Sequence, residues 1–290
     1  MAKPTSKQYE RLISAPSFFW LVLFFVIPTV VVFAAAFRPA DPFGGLGPGW
    51  TLESLKALSN PNYPKIVWRT LWLSAVTTLI CLGLSIPCAY YIASARPRVR
   101  NWLLLLVIVP FWTSFLVRVF AWKLLLHPEG WIKRALMMIG LVAPQTSLLY
   151  NPEAVLLVMV YSYLPFAILP IYSAVEKFDY HLIEAARDLG ASKLYAFWRV
   201  FIPGISRGLL TATLVVFIPA LGSYIIPDLV GGPNSEMIGN KIAQRTFTDR
   251  HLPHASALSA LLTLAVLLPM LLTLWLQRRK GRVSAVENLS

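Results

Sequence analysis

The segment EAARDLGASKLYAFWRVFIP, residues 184–203, is a long polar interruption in an otherwise apolar chain, and its reading decides the fold. Asp179 is placed to cap a helix over Tyr180 to Leu189, Gly190 to supply the left-handed residue that ends it, and Ser192 to cap a second helix. Pro203 then separates this unit from the next apolar run. In the first helix Leu182, Ala185, Ala186 and Leu189 fall on one face, with Glu184, Arg187 and Asp188 elsewhere; two alanines there let a partner backbone come close. The second helix repeats the device with Leu194, Phe197, Trp198 and Phe201, and sets Lys193 and Arg199 off that face.

Outward from this unit the chain is a membrane protein. Its 290 residues are 57% hydrophobic and 13% charged, and the mean hydropathy is +0.63, a composition that no soluble domain of this size carries. Apolar stretches near 17–37, 70–93, 102–126, 154–175, 208–230 and 255–276 each approach the roughly 20 residues that cross a bilayer. Six crossings return both termini to one side. Fifteen Lys and Arg fall on the side of the termini and of residues 184–203, nine on the other and two within a span, so the termini and the polar unit are expected to be cytosolic.

The net charge of +13 is spread over short juxtamembrane loops, which points to topology and anionic lipid and away from nucleic acid. Lys3, Lys7 and Arg11 before an apolar run imitate a secretory signal, but the run exceeds the usual signal core of about 7–15 residues and reads as an uncleaved span. Cys81 and Cys88 share a face of the second span as small apolar residues. His251 and His254 form an HxxH with no further ligand nearby, short of a metal site.

Every span contains proline, which suits bundles around an aqueous cavity as well as simple kinking. The third span carries Arg118 and Lys123. Counted from Trp102 at about 1.5 Å per residue, Arg118 falls in the outer half, either lining a pathway or pairing with carbonyls or Asp228, and Lys123 snorkels outward. Tyr161, Pro165, Ile168 and Tyr172 share a face of the fourth span, and Thr213, Phe217, Ala220, Tyr224 and Asp228 a face of the fifth. Rings with one carboxylate suit an organic cation, and they equally suit helix packing. The glycine-led loop GGPNSEMIGNKIAQRTF, 231–247, is a docking candidate on the outer face. No GxxxxGK[ST] occurs anywhere, so an energy source based on ATP has to reside on another subunit.

Glu184-Ala185-Ala186, three residues, Gly190, nine residues, Val200, one residue and Ile202-Pro203 resembles the EAA loop of ABC importer permeases, with Val200 and Ile202 for the usual Ile and Leu. PFWTSFLVRVFAW at 110–122, LPFAILPIYSAVEKFD at 164–179, EAARDLGASK at 184–193, FIPALGSYIIPDLVGGP at 217–233 and MIGNKI at 237–242 look like the first permease subunit of spermidine/putrescine-type importers. The resemblance implies an all-α membrane protein of the type I importer permease kind, with six transmembrane helices and a cytosolic coupling loop. The expected layout is a cytosolic segment 1–16, a permease domain 17–276 containing the loop 176–207, and a cytosolic tail 277–290. It implies a second homologous permease, two ATPase subunits holding ATP and Mg, an extracytoplasmic substrate-binding protein, and no cofactor on this chain.

Glu184, Ala185, Ala186, Gly190, Val200, Ile202 and Pro203 are then the ATPase-coupling residues, and Gly190→Pro should abolish transport while leaving insertion intact. Trp112, Arg118, Tyr161, Tyr172, Phe217, Ser223, Tyr224 and Asp228 are candidates for the solute pathway. Two departures bear on the solute: Asp249-Arg250-His251-Leu252-Pro253 stands where the family often has Arg-Asp-Trp-Pro, and Ser223 where many relatives carry an acid. With Arg118 and Lys123 also repelling a polycation, an opine or amino-acid derivative stays open beside a polyamine. A secondary transporter would be expected to show more acids or broken helices at mid-membrane, and an intramembrane hydrolase a nucleophile and base within the bundle.

Overall fold

The computed structural model describes residues 6–41 and 44–267, and all regular structure among them is helical apart from one isolated bridge between Ala40 and Leu46. The end of the sixth apolar stretch and the 277–290 tail lie outside the described residues. The chain divides into two compact units, one of residues 64–240 and one of residues 1–63 with 241–290.

In the latter unit the first span is α1, Ser14–Ala35. Pro28 has no N–H to give, and the helix absorbs the loss just upstream with a widened turn over Val22–Val26, closed by the Ile27 N–H on the Val22 carbonyl. Thr29 Oγ1 takes up the Phe25 carbonyl at 2.6 Å. The same unit holds the Arg245–Asp249 ion pair at 2.9 Å and a buried hydrogen bond of 2.6 Å between Tyr63 Oη and His254 Nε2. His254 and His251 are thus turned toward each other, with ring centroids 5.7 Å apart, and His254 toward a phenol.

The 64–240 unit takes up all but the first two residues of α2, Asn62–Ser94, followed by α3, Pro97–Ile108, α4, Phe115–Leu126, and α5, Trp131–Met138. Then come α6, Pro152–Glu176, α7, His181–Asp188, α8, Lys193–Gly204, α9, Ser206–Leu221, and α10, Ile225–Val230. In the other unit α11 is Leu252–Leu267. The core is the seam of α6 on α9 and α2, where Val155, Val158, Met159, Ala167, Ile171 and Val175 of α6 are fully enclosed. Lipid tails are as apolar as leucine, so such a seam is held by close packing more than by expulsion of water. Two buried hydroxyls of α2 are turned back on their own helix, Thr70 onto the Ile66 carbonyl at 2.8 Å and Thr78 onto the Ser74 carbonyl at 2.7 Å, while Thr77 Oγ1 faces Met159 Sδ of α6 at 4.0 Å.

Two apolar stretches that read as single rods are not. Residues 102–126 break at Thr113–Ser114, where the backbone turns extended and the helices on either side meet at 91°. Pro110 removes one backbone donor, and Thr113 seals the turn with its Oγ1 on the Pro110 carbonyl at 2.8 Å. The depth counted for Arg118 along a continuous helix therefore does not hold. Residues 208–230 break at Gly222–Tyr224, so Thr213, Phe217 and Ala220 of α9 do not share a face with Asp228 of α10. Cys81 is buried and Cys88 exposed, because the buried stripe of α2 runs Cys81, Ser85, Ala89, Ile92 and passes one residue beyond Cys88.

Candidate functional site

The polar unit folds as two short helices under the ends of α6 and α9. Asp179 Oδ1 accepts the His181 N–H at 3.1 Å, and α7 begins one residue later than the sequence suggests. At its other end Gly190 has φ +87°, a left-handed turn open on all sides, so glycine is required there by the backbone and not by space. Ser192 caps α8, its Oγ accepting the Tyr195 N–H at 3.2 Å.

Midway, α8 takes a widened turn over Phe197–Phe201, with the Ile202 N–H on the Phe197 carbonyl. That turn shifts the register and splits the expected stripe. Phe201 is buried and Phe197 half-buried, while Leu194 and Trp198 stay 69% and 60% exposed. Pro203 sits inside α8, and the chain turns just beyond it at Ile205, where α8 and α9 meet at 67°.

The unit therefore has two surfaces. Inward, Phe178, Tyr180, Phe197 and Phe201 form an aromatic cluster with ring centroids 5.2–5.5 Å apart, and Tyr90 at the foot of α2 meets Tyr180 at 6.2 Å and Phe201 at 5.9 Å. Burial, and secondarily the Tyr90 hydroxyl, push the Tyr180 phenol up from its ordinary range. Outward, Leu189 is 90% exposed, and with Ala186, Gly190, Ala191, Ser192 and Tyr195 it lines an open groove between the two helices. Glu184 and Ala185 are exposed and Ala186 half-buried, and the Glu184 carboxylate lies 3.1 Å from His181 Nδ1. Val200 and Ile202 are half-buried against the core. The left-handed glycine between the two helices thus leaves a leucine-rimmed apolar surface open.

The pathway candidates are dispersed. Trp112 is 74% exposed beside the α3–α4 break. Arg118 lies over the Phe111 and Phe115 rings at 5.3 and 5.8 Å, its Nε buried without a hydrogen-bond partner, and among the described residues it makes no ion pair with Asp228. Lys123 Nζ is 6.0 Å from the Tyr150 ring. Tyr161 packs edge-on to Trp122 at 5.2 Å, whereas Pro165 and Ile168 on the same face of α6 are buried. Tyr172 and Phe217 are half-buried, Ser223 is buried in the α9–α10 break, and Asp228 is exposed. The Tyr224 carbonyl accepts Asn240 Nδ2 at 3.0 Å. Sequence reasoning missed Tyr90, Phe178 and Tyr180. It also missed the Arg100–Glu176 ion pair at 2.9 Å, which ties the start of α3 to the end of α6; Phe178 and Tyr180 flanking Asp179 at a helix end were the available signal.

This all-helical chain with its paired-helix loop is a membrane subunit of an ABC importer. The chain belongs to the family of binding-protein-dependent transport system inner membrane components, whose model matches residues 84–282. It is 36% identical over 278 residues to the spermidine/putrescine transport system permease protein PotB of Haemophilus influenzae, covering 96% of each chain. To PotB of Escherichia coli K12 it is 37% identical over 256 residues, covering 88% of this chain and 93% of that one. The crystal structure of a bacterial ABC transporter involved in the import of the acidic polysaccharide alginate shares its fold, with a TM-score of 0.70 at 20% identity over 94% of this chain and 96% of that one.

Proposed function

We propose that this chain is the first permease subunit of an importer for a small amine of the spermidine/putrescine kind, lying in the bacterial cytoplasmic membrane with both termini cytosolic. The observation that carries the reading is the 36% identity, over nearly the whole of both chains, to a protein named for that transport. The chain works beside a second homologous permease, two ATPase subunits and an extracytoplasmic substrate-binding protein. ATP and Mg reside on the ATPase subunits, and this chain holds no nucleotide and does no chemistry on the solute. The exposed rim of Leu189, Leu194 and Trp198 supports a docking role for the 184–203 unit. Closure of the ATPase dimer moves α7 and α8, and the bundle alternates between arrangements that hold the solute tightly and weakly.

A second reading has one observation behind it: Arg118, cationic and with its Nε unpartnered inside the third apolar stretch, suits a solute that carries a carboxylate, such as an opine or amino-acid derivative. Reconstituting the complex with its binding protein and measuring which solute stimulates ATP hydrolysis decides between the two. Stimulation by spermidine or putrescine supports the first, stimulation by carboxylated amines alone the second, and hydrolysis indifferent to every solute refutes both.

A further inference from the structure

We propose that Phe178, wedged against Gly204, is the positioning element that locks the feet of α6 and α9 into one lever, so that displacement of the 184–203 unit swings both spans together. The proposal rests on the coupling role given to that unit above. Phe178 follows the end of α6, and Gly204 ends α8 just before α9. A methyl group on Gly204 would collide with the Phe178 ring at Cε2 and lie 2.7 Å from Cδ2. One turn further, a methyl on Gly208 would collide with Ala174 Cβ and lie 3.0 Å from the Pro170 carbonyl oxygen. Bare backbone at Gly208 lets α9 lie directly on α6, the small-residue packing that holds helices together where water supplies no driving force, and bare backbone at Gly204, four residues earlier, makes room for the Phe178 ring. The seam continues upward through Ala212, Val216 and Ala220, all fully enclosed.

The ring of Phe178 bridges the two ends of the loop. It meets Tyr180, which precedes α7, at 5.4 Å and Phe201, which lies in α8, at 5.2 Å, both nearly edge-on. Any hinge between the feet of α6 and α9 has to lift this ring off Gly204 and open its contacts with both aromatic neighbours. Packed joints of this kind hold one of a few discrete arrangements and do not shear continuously. The wedge is thus suited to carry a push on α7 into both spans at once.

The test uses the whole importer, with its binding protein, in proteoliposomes, and reads solute taken up per ATP hydrolysed. Phe178→Ala removes the wedge without any clash. The ratio should fall about tenfold, within the usual range for a lost coupling free energy, while the ATPase subunits stay bound. Gly204→Ala should lower the ratio too, and Gly204→Ala with Phe178→Leu should recover a good part of it, because the smaller side chain makes room for the methyl. A Phe178→Ala complex with a wild-type ratio overturns the proposal, as does one in which uptake and hydrolysis fall together, the mark of a merely structural role. A wild-type complex that couples hydrolysis to no solute overturns the functional reading and this proposal with it. A wild type that couples beside a Phe178→Ala variant that couples equally overturns the wedge alone.

Discussion

Truncating Leu189 to alanine should weaken the hold of the ATPase subunit on this chain while leaving the permease itself as stable as before. Leu189 is 90% exposed at the rim of the groove between α7 and α8, so nearly all of its side-chain area is available to a partner. Alanine removes three carbon groups worth about 0.8 kcal/mol each on burial; nine-tenths of that is about 2 kcal/mol, or roughly 30-fold in affinity. Because the side chain touches little in the permease, its thermal midpoint should stay put. The measurement is the dissociation constant of the purified ATPase subunit for the permease pair in detergent or nanodiscs, alongside a thermal melt of the permease. An affinity within twofold of wild type would refute the reasoning that this rim is buried by the motor subunit.

Gly190→Ala forces a side chain into φ +87°, at a cost of about 1–2 kcal/mol, and should reduce uptake with membrane levels unchanged. Gly190→Pro, whose ring demands φ near −65°, should abolish uptake with insertion retained; normal uptake would contradict the coupling role. The Arg100–Glu176 pair is 30% and 39% exposed, so a double-mutant cycle on permease stability should return no more than about 1 kcal/mol, and the charge-exchanged pair should recover what either single reversal loses. Tyr63→Phe takes away the hydroxyl 2.6 Å from His254 Nε2 and leaves a buried ring nitrogen without its partner. The melt should show a loss of about 1–3 kcal/mol, and an unchanged midpoint would mean the bond contributes nothing.

Prolines show where sequence reading stops. Pro165 and Pro170 lie inside α6, which runs unbroken over Pro152–Glu176, and Pro87 lies inside an equally continuous α2. Pro110, by contrast, precedes a 91° turn. The missing N–H is the same in each case; what differs is whether the packing around it tolerates a bent ladder or opens it. The stripe Leu194, Phe197, Trp198, Phe201 failed for a related reason. Ideal helical spacing assigns all four to one face, and a single widened turn over Phe197–Phe201 sends Phe201 inward and leaves Trp198 out.

Composition and hydropathy alone determined that this is a helical membrane protein, because a bilayer admits few ways to satisfy a backbone and of these only the α-helix leaves apolar runs of about 20 residues. The residues around Gly190 likewise marked the paired-helix loop and its turn, since caps and left-handed residues are local requirements written in adjacent residues. Only the tertiary structure decided that Tyr90 and Phe178 both meet Phe201, that Gly204 faces the Phe178 ring and Gly208 lets α9 lie on α6, and that Arg118 rests on rings and not on Asp228. The aromatic and glycine contacts join segments distant in the chain, and which faces meet there is fixed by shape across a packed seam, a quantity that no local periodicity encodes; Arg118 meets near neighbours, but only because the chain bends at Thr113–Ser114.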